Sequence, residues 1–209
     1  MMLHDYFIKS WVPGVLLWAA LYCTSHLLAA ANGRLYRGGA REVFEWEGSP
    51  ARDDADPNAA ARHNWYKVYS AITLVGISIL LAVVWIYSHE LVFWEAFYFA
   101  VLGSCTLPLC TTSLRYLNNY FIFRAVRGGR FIVGKIHFSE IFVRKASAMG
   151  LLAFAGVYLL IALVLGDWFC LGGTLGCLLA ALRERERGQD LEQKSRPKDG
   201  DTARSSPAA

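Results

Sequence analysis

The feature that most constrains this chain is the recurrence of long stretches without one charged side chain. Val12–Ala31, Val68–Ser88, Ala96–Leu114 and Ala146–Gly166 each run for 19 to 21 residues with no Asp, Glu, Lys or Arg. A helix needs about 20 apolar residues to cross the hydrocarbon core of a bilayer. Irregular chain cannot replace it there, because lipid offers no partner to free backbone amides and carbonyls. The chain therefore reads as an all-α, polytopic helical membrane protein. Its spans are expected at 12–31, 68–88, 92–114 (Leu91–Glu95 can extend the third run outward) and 146–166. Composition agrees: of 209 residues, 55% are apolar and only 18% charged, below the quarter usual in soluble domains.

A further apolar run at 168–182 is the ambiguous one. As a helix, Trp168–Leu182 reaches only about 22 Å. It reads as a short fifth span, a re-entrant helix, or the tail of one very long helix. Gly166-Asp167 favours a turn before it, since Gly interrupts helices and Asp suits caps. One continuous helix from Ala146 to Leu182 would hold Asp167 near mid-membrane at a cost of several kcal/mol. The expectation is about five transmembrane helices: four, plus a short fifth or re-entrant one.

Basic residues decide between the counts. Short cytoplasmic loops of membrane proteins are enriched in Lys and Arg. Of 21 such residues, only Lys9 lies outside three segments: Asn32–Lys67, Arg115–Lys145 and the tail from Arg183. Five spans put all three segments on one side; four would move the tail to the other. The pattern favours five spans in a plasma (inner) membrane, with the N-terminus outside and the C-terminus cytoplasmic. Ala29-Ala30-Ala31 resembles a signal-peptidase site, but cleavage implies an N-in insertion that would leave Arg115–Lys145 outside, against its charge.

The soluble-side segments read as follows. Residues 32–67 form a polar cytoplasmic loop broken by Gly38-Gly39, Gly48, Pro50 and Pro57, with a short strand or interfacial piece at Val43–Glu47. Residues 115–145 alternate basic residues with aromatics, and Gly128-Gly129 divides them. They read as two short amphipathic pieces in the headgroup layer, with Arg124, Arg127, Arg130 and Lys135 as candidate contacts to anionic lipid. A plain cytoplasmic loop is the equal alternative. Ser139 is placed to cap the helix that follows. The tail 183–209, dominated by Lys, Glu, Asp, Ser and Pro, is expected to be disordered.

Few polar residues lie inside the spans, and each is a functional candidate. Pro108 removes a backbone hydrogen bond and frees the Ser104 carbonyl. With Ser104, Thr106 and Thr111, and with Glu95 and His26, it outlines a candidate solute path through a kinked third span. His26 and Cys23 are one turn apart, but a His bonded to a neighbouring helix fits better than a metal or haem site. Cys23, Cys105, Cys110, Cys170 and Cys177 all sit in apolar runs and read as soft packing residues. Gly172, Gly176 and Ala180 lie at helical spacing and offer a small-residue packing face, toward this chain or another. Arg124, Arg127 and Arg130 repeat every third residue like voltage-sensor arginines but lie outside any span. Asp54, Asp56 and Asn58 resemble the start of a calcium loop, but Ala59 replaces its required Gly.

No metal site, cofactor motif, phosphate-cradling Gly-rich loop, nucleophile elbow or HExxH sequence is present. Basic residues serve topology, so nucleic acid is not an expected partner. The expected partners are the lipid bilayer and another membrane protein or a second copy. The first functional reading is a non-catalytic subunit or accessory factor. A small transporter or channel is the alternative. A lipid-acting enzyme using His137, Glu140 and Arg127 is third.

Overall fold

A computed structural model describes residues 7, 9–46, 59–88, 92–128 and 135–195. Among the described residues the chain is all-α apart from one minute sheet. The elements are α1 (Val12–Arg37), a 3-10 turn (Ala40–Glu42), β1 (Phe44–Trp46), α2 (Ala59–Ser88), α3 (Val92–Gly128), β2 (Ile136–Phe138), α4 (Glu140–Leu165) and α5 (Trp168–Ser195). Four helices, α1 to α4, are long and apolar enough to cross a membrane. Their outward faces carry the large apolar side chains, including Leu27, Ile72, Ile79, Leu160 and Val164, as lipid-facing helices require.

Contacts fix the direction of each helix. Tyr22 on α1 donates to the Ser70 carbonyl on α2, and Trp18 clusters with Leu81, so α1 and α2 are antiparallel. Gly14 lies against Tyr98, and Asn32 donates to the Tyr116 carbonyl at 2.8 Å, so α1 and α3 run parallel. Arg115 on α3 bonds Ser147 on α4, and Thr111 meets Tyr158, making that pair antiparallel. Thr174 reaches the Ala155 carbonyl and Arg144 pairs with Glu184, so α4 and α5 form an antiparallel hairpin. The helices alternate in direction along the chain.

The hairpin turn has a local cause. Gly166 takes φ 65°, the left-handed conformation that ends many helices. The Asp167 carboxylate then accepts the Phe169 amide at 3.0 Å and caps α5. At the other end of α4, Ser139 accepts the Phe142 amide at 3.1 Å, the cap expected from sequence. The fifth apolar run is thus the first half of a continuous helix that runs alongside α3. It is a separate helix and not the end of α4.

Three sequence expectations need correction. The tail 183–209 is not disordered from its start: α5 continues to Ser195. Arg, Glu, Gln and Leu are good helix formers, and Arg144–Glu184 and Lys145–Glu192 tie the extension to α4. Composition alone hides such a docking partner. Residues 196–209 lie outside the described residues. Second, 115–128 is not a separate amphipathic piece. No Pro or Gly lies between Pro108 and Gly128, so α3 runs on as one helix of about 55 Å. Third, the 32–67 loop is shorter than expected, because α1 extends to Arg37 and α2 begins at Ala59. Within it, β1 occupies the predicted strand position and pairs in parallel with β2, Phe44 opposite Ile136.

The tightest packing is between α3 and α5. A methyl group on Gly172 would overlap the Ala100 carbonyl, and one on Gly103 would overlap the Phe169 carbonyl. Gly176 lies against the Ser104 carbonyl and the Pro108 ring. Without a hydrophobic drive between helices in lipid, such close contact is what holds them together.

Candidate functional site at the basic end of the bundle

Charged residues begin at a common level on the helices. Asn32, next to Arg34, bonds Tyr116 beside Arg115. Arg115 bonds Ser147, two residues from Lys145. Arg144 meets Glu184 beside Arg183 at 3.3 Å. The Ser70 hydroxyl contacts Tyr22 at 2.9 Å and His26 at 3.2 Å, one turn inside Lys67 on α2. Beyond this level the helix ends form a polar cap with its own small core, in which Tyr36 and Ala40 pack against Phe44 and Phe123. A ladder of rings continues it from Phe44 to Phe138 to Phe142.

The cap holds two charge regions. Where α4 and α5 meet, Arg144 binds Glu140 and Glu184, Arg187 binds Glu184, and Lys145 binds Glu192. Where α1 and α3 end, Arg34, Arg37, Arg41, Arg124 and Arg127 are all exposed. Among the described residues, none of these five makes an ion pair. Arg37 instead donates to the Gly33 carbonyl at 3.3 Å, and the Arg127 side chain lies along Gly38 and Gly39. Arg34, Arg37 and Arg127 stand in last helical turns, where cations complement the helix dipole. Lys135 is exposed just before β2. Arg130 lies outside the described residues.

The third reading asked for His137, Glu140 and Arg127 in one cleft. His137 and Glu140 have separate partners. His137 pairs with Glu45 across the two strands at 3.3 Å, and Glu140 is taken by Arg144. A shallow depression of about 400 Å³ lies over His137, Phe138, Ser139 and Phe142, but Glu140 and Arg127 do not line it. Among the described residues, no three His, Cys, Asp or Glu side chains gather as a metal site would require.

The hydroxyls around Pro108 are engaged with their own helix. Ser104 bonds the Val101 carbonyl, Thr106 that of Leu102, Thr111 that of Leu107 and Thr112 that of Pro108. Glu95 is exposed in the first turn of α3, more than three turns from Pro108. His26 faces Ser70 on α2 and lies tilted against Tyr22, with ring centroids 4.5 Å apart. Gly172 and Gly176 pack on α3, and Ala180 packs beside Leu151, Ala155, Cys177 and Ala181 at the α4/α5 contact.

Sequence reading missed the company kept by Arg34, Arg37 and Arg41, which it assigned to topology alone. The Gly38-Gly39 turn between Arg37 and Arg41 lies against the Arg127 side chain. Gly39 takes φ 142°, which favours glycine. The paired glycines were visible, but where they direct the chain was not. No family model, no curated protein and no solved structure matches this chain.

Proposed function

We propose that this multi-pass membrane protein acts by association, as a non-catalytic subunit or accessory factor of a membrane complex. The observation that carries the reading is the division of its glycines. Gly103, Gly172, Gly173 and Gly176 are required by contacts inside the chain, whereas a side chain on Gly76, Gly150 or Gly156 would meet open space. A glycine within a helix costs about 1 kcal/mol relative to alanine. Gly150 and Gly156, with exposed Ala153 between them on α4, suit the close approach of a further helix in lipid.

The hydroxyls of Ser104, Thr106, Thr111 and Thr112 favour this reading over transport, because these four already serve their own helix. The separate partners of His137 and Glu140 favour it over catalysis. The proposed orientation has the basic cap in the cytoplasm, the N-terminus outside and the first half of α5 as a fifth crossing of the plasma membrane. The common level of Arg34, Lys67, Arg115, Lys145 and Arg183 supports it.

The test is purification in mild detergent from native membranes, with identification of what remains bound. A stoichiometric membrane protein should co-purify with the wild type and be lost from Gly156→Leu, while the thermal midpoint in detergent stays unchanged. Recovery of the wild type as a clean monomer would reject the reading. A reporter fused after Leu182 should read as cytoplasmic; an external signal would remove the fifth crossing.

A further inference from the structure

The unneutralised arginines carry an inference that does not depend on a protein partner. We infer that the α1/α3 end binds anionic phospholipid headgroups through Arg34, Arg37, Arg41, Arg124 and Arg127.

The first support is the contrast within the cap. At the α4/α5 end Arg144, Lys145 and Arg187 face carboxylates of their own chain, and only Arg183 and Arg185 are exposed without an ion pair among the described residues. At the α1/α3 end five guanidinium groups are exposed without one among the described residues. Planar guanidinium groups match phosphate oxygens two at a time.

The second support is direction. Side chains on a helix lean toward its N-terminus. For both α1 and α3 that is toward the apolar layer, so these arginines lean back toward the bilayer surface. Arg127 does so visibly, with its guanidinium carbon 3.8 Å from where a Cβ on Gly38 would stand. Gly38 lies six residues past Asn32, about 9 Å along the axis, close to the depth of a headgroup layer. The Gly38-Gly39 turn sets Arg41 on the same side of the cap by returning the chain beside α3, where Gly39 also meets the Arg127 stem.

The third support distinguishes lipid from a soluble anion. Leu114, Leu117 and Phe121 are exposed at 48%, 38% and 58%. They lie on one helical face that continues out of the third apolar run, and that face ends at Arg124. Apolar side chains followed at the same face by arginine suit acyl chain followed by phosphate. A soluble anion would give Phe121 no reason to face outward.

The test is native mass spectrometry of the full chain in detergent, titrated with phosphatidylglycerol or phosphatidylcholine. The wild type should retain phosphatidylglycerol in preference. Arg34→Gln, Arg37→Gln and Arg127→Gln together should weaken that retention roughly a hundredfold, at about a factor of five per basic residue. Arg183→Gln, Arg185→Gln and Arg187→Gln remove the same charge from the other region and should change it less than about threefold. Lysine at positions 34, 37 and 127 should keep most of the binding, which separates lost charge from lost fold. Equal weakening by the two glutamine triples would overturn the inference. So would equal retention of the two lipids, loss in the lysine triple as deep as in the glutamine triple, or displacement by glycerol phosphate at the same concentration as the lipid.

Discussion

The α4/α5 hairpin and the α1/α3 pair reach the same end of the bundle with similar raw material, and they use it differently. In the hairpin, much of this is met within the chain: Gly172 and Gly176 of α5 meet the α3 backbone, and Arg144, Lys145 and Arg187 have Glu partners. At the ends of α1 and α3 the arginines face outward, and the glycine turn presents them instead of burying them. Positive charge near a membrane surface is therefore not one feature. Paired with carboxylates on a neighbouring helix it extends secondary structure beyond the bilayer. Left unpaired it remains available to whatever negative charge lies at that surface.

Substitutions can break this contrast, and the largest effect is expected at Gly176. Gly176→Leu drives a side chain into the Ser104 carbonyl and the Pro108 ring. Overpacking of this kind should cost about 3 kcal/mol, read as a large fall in thermal midpoint in detergent. A midpoint equal to that of wild type would mean α5 does not seat on α3 as described. Next comes Arg144→Ala, which removes partly buried charge-assisted bonds to Glu140 and Glu184. A loss of about 2 kcal/mol is expected, concentrated locally. Amide hydrogen exchange over Arg183–Ser195 should accelerate while the α1/α2 contact stays protected. Uniform acceleration would show that the extension is not held by this link.

Smaller effects sharpen the picture. Lys145→Ala breaks an exposed pair with Glu192 and should cost under about 0.5 kcal/mol. A greater loss would make the hairpin's charges more interdependent than their exposure implies. Arg124→Gln, at the open end, should leave stability within about 0.5 kcal/mol of wild type. A marked destabilisation there would mean that the arginine has an internal role and that the two regions differ less than their geometry indicates.

Much of the site was visible as a list of residues and very little as a set of neighbours. Pro108 and Gly176 illustrate this. One was read as a kink that frees the Ser104 carbonyl and the other as part of a packing face. The structure sets Gly176 against that same carbonyl. His26 was read as bonded to a neighbouring helix, and it meets Ser70 on α2; its identity as partner had no sequence signal. His137 and Glu140, three residues apart, looked suited to a shared role. The strand ending at Phe138 and the helix starting at Glu140 instead give them different partners.

What the sequence determined by itself was the solvent. Charge-free runs of bilayer length impose helices, because backbone groups in lipid must bond within their own segment. Gly166-Asp167 likewise imposed a turn, since its cap chemistry is local. Only the tertiary structure decided which glycines are used inside the chain, which arginines have carboxylates beside them, and how far α5 extends. Those outcomes depend on side chains brought together from residues 40 or more positions apart, as with Arg144 and Glu184. Composition along the chain carries no record of that distance.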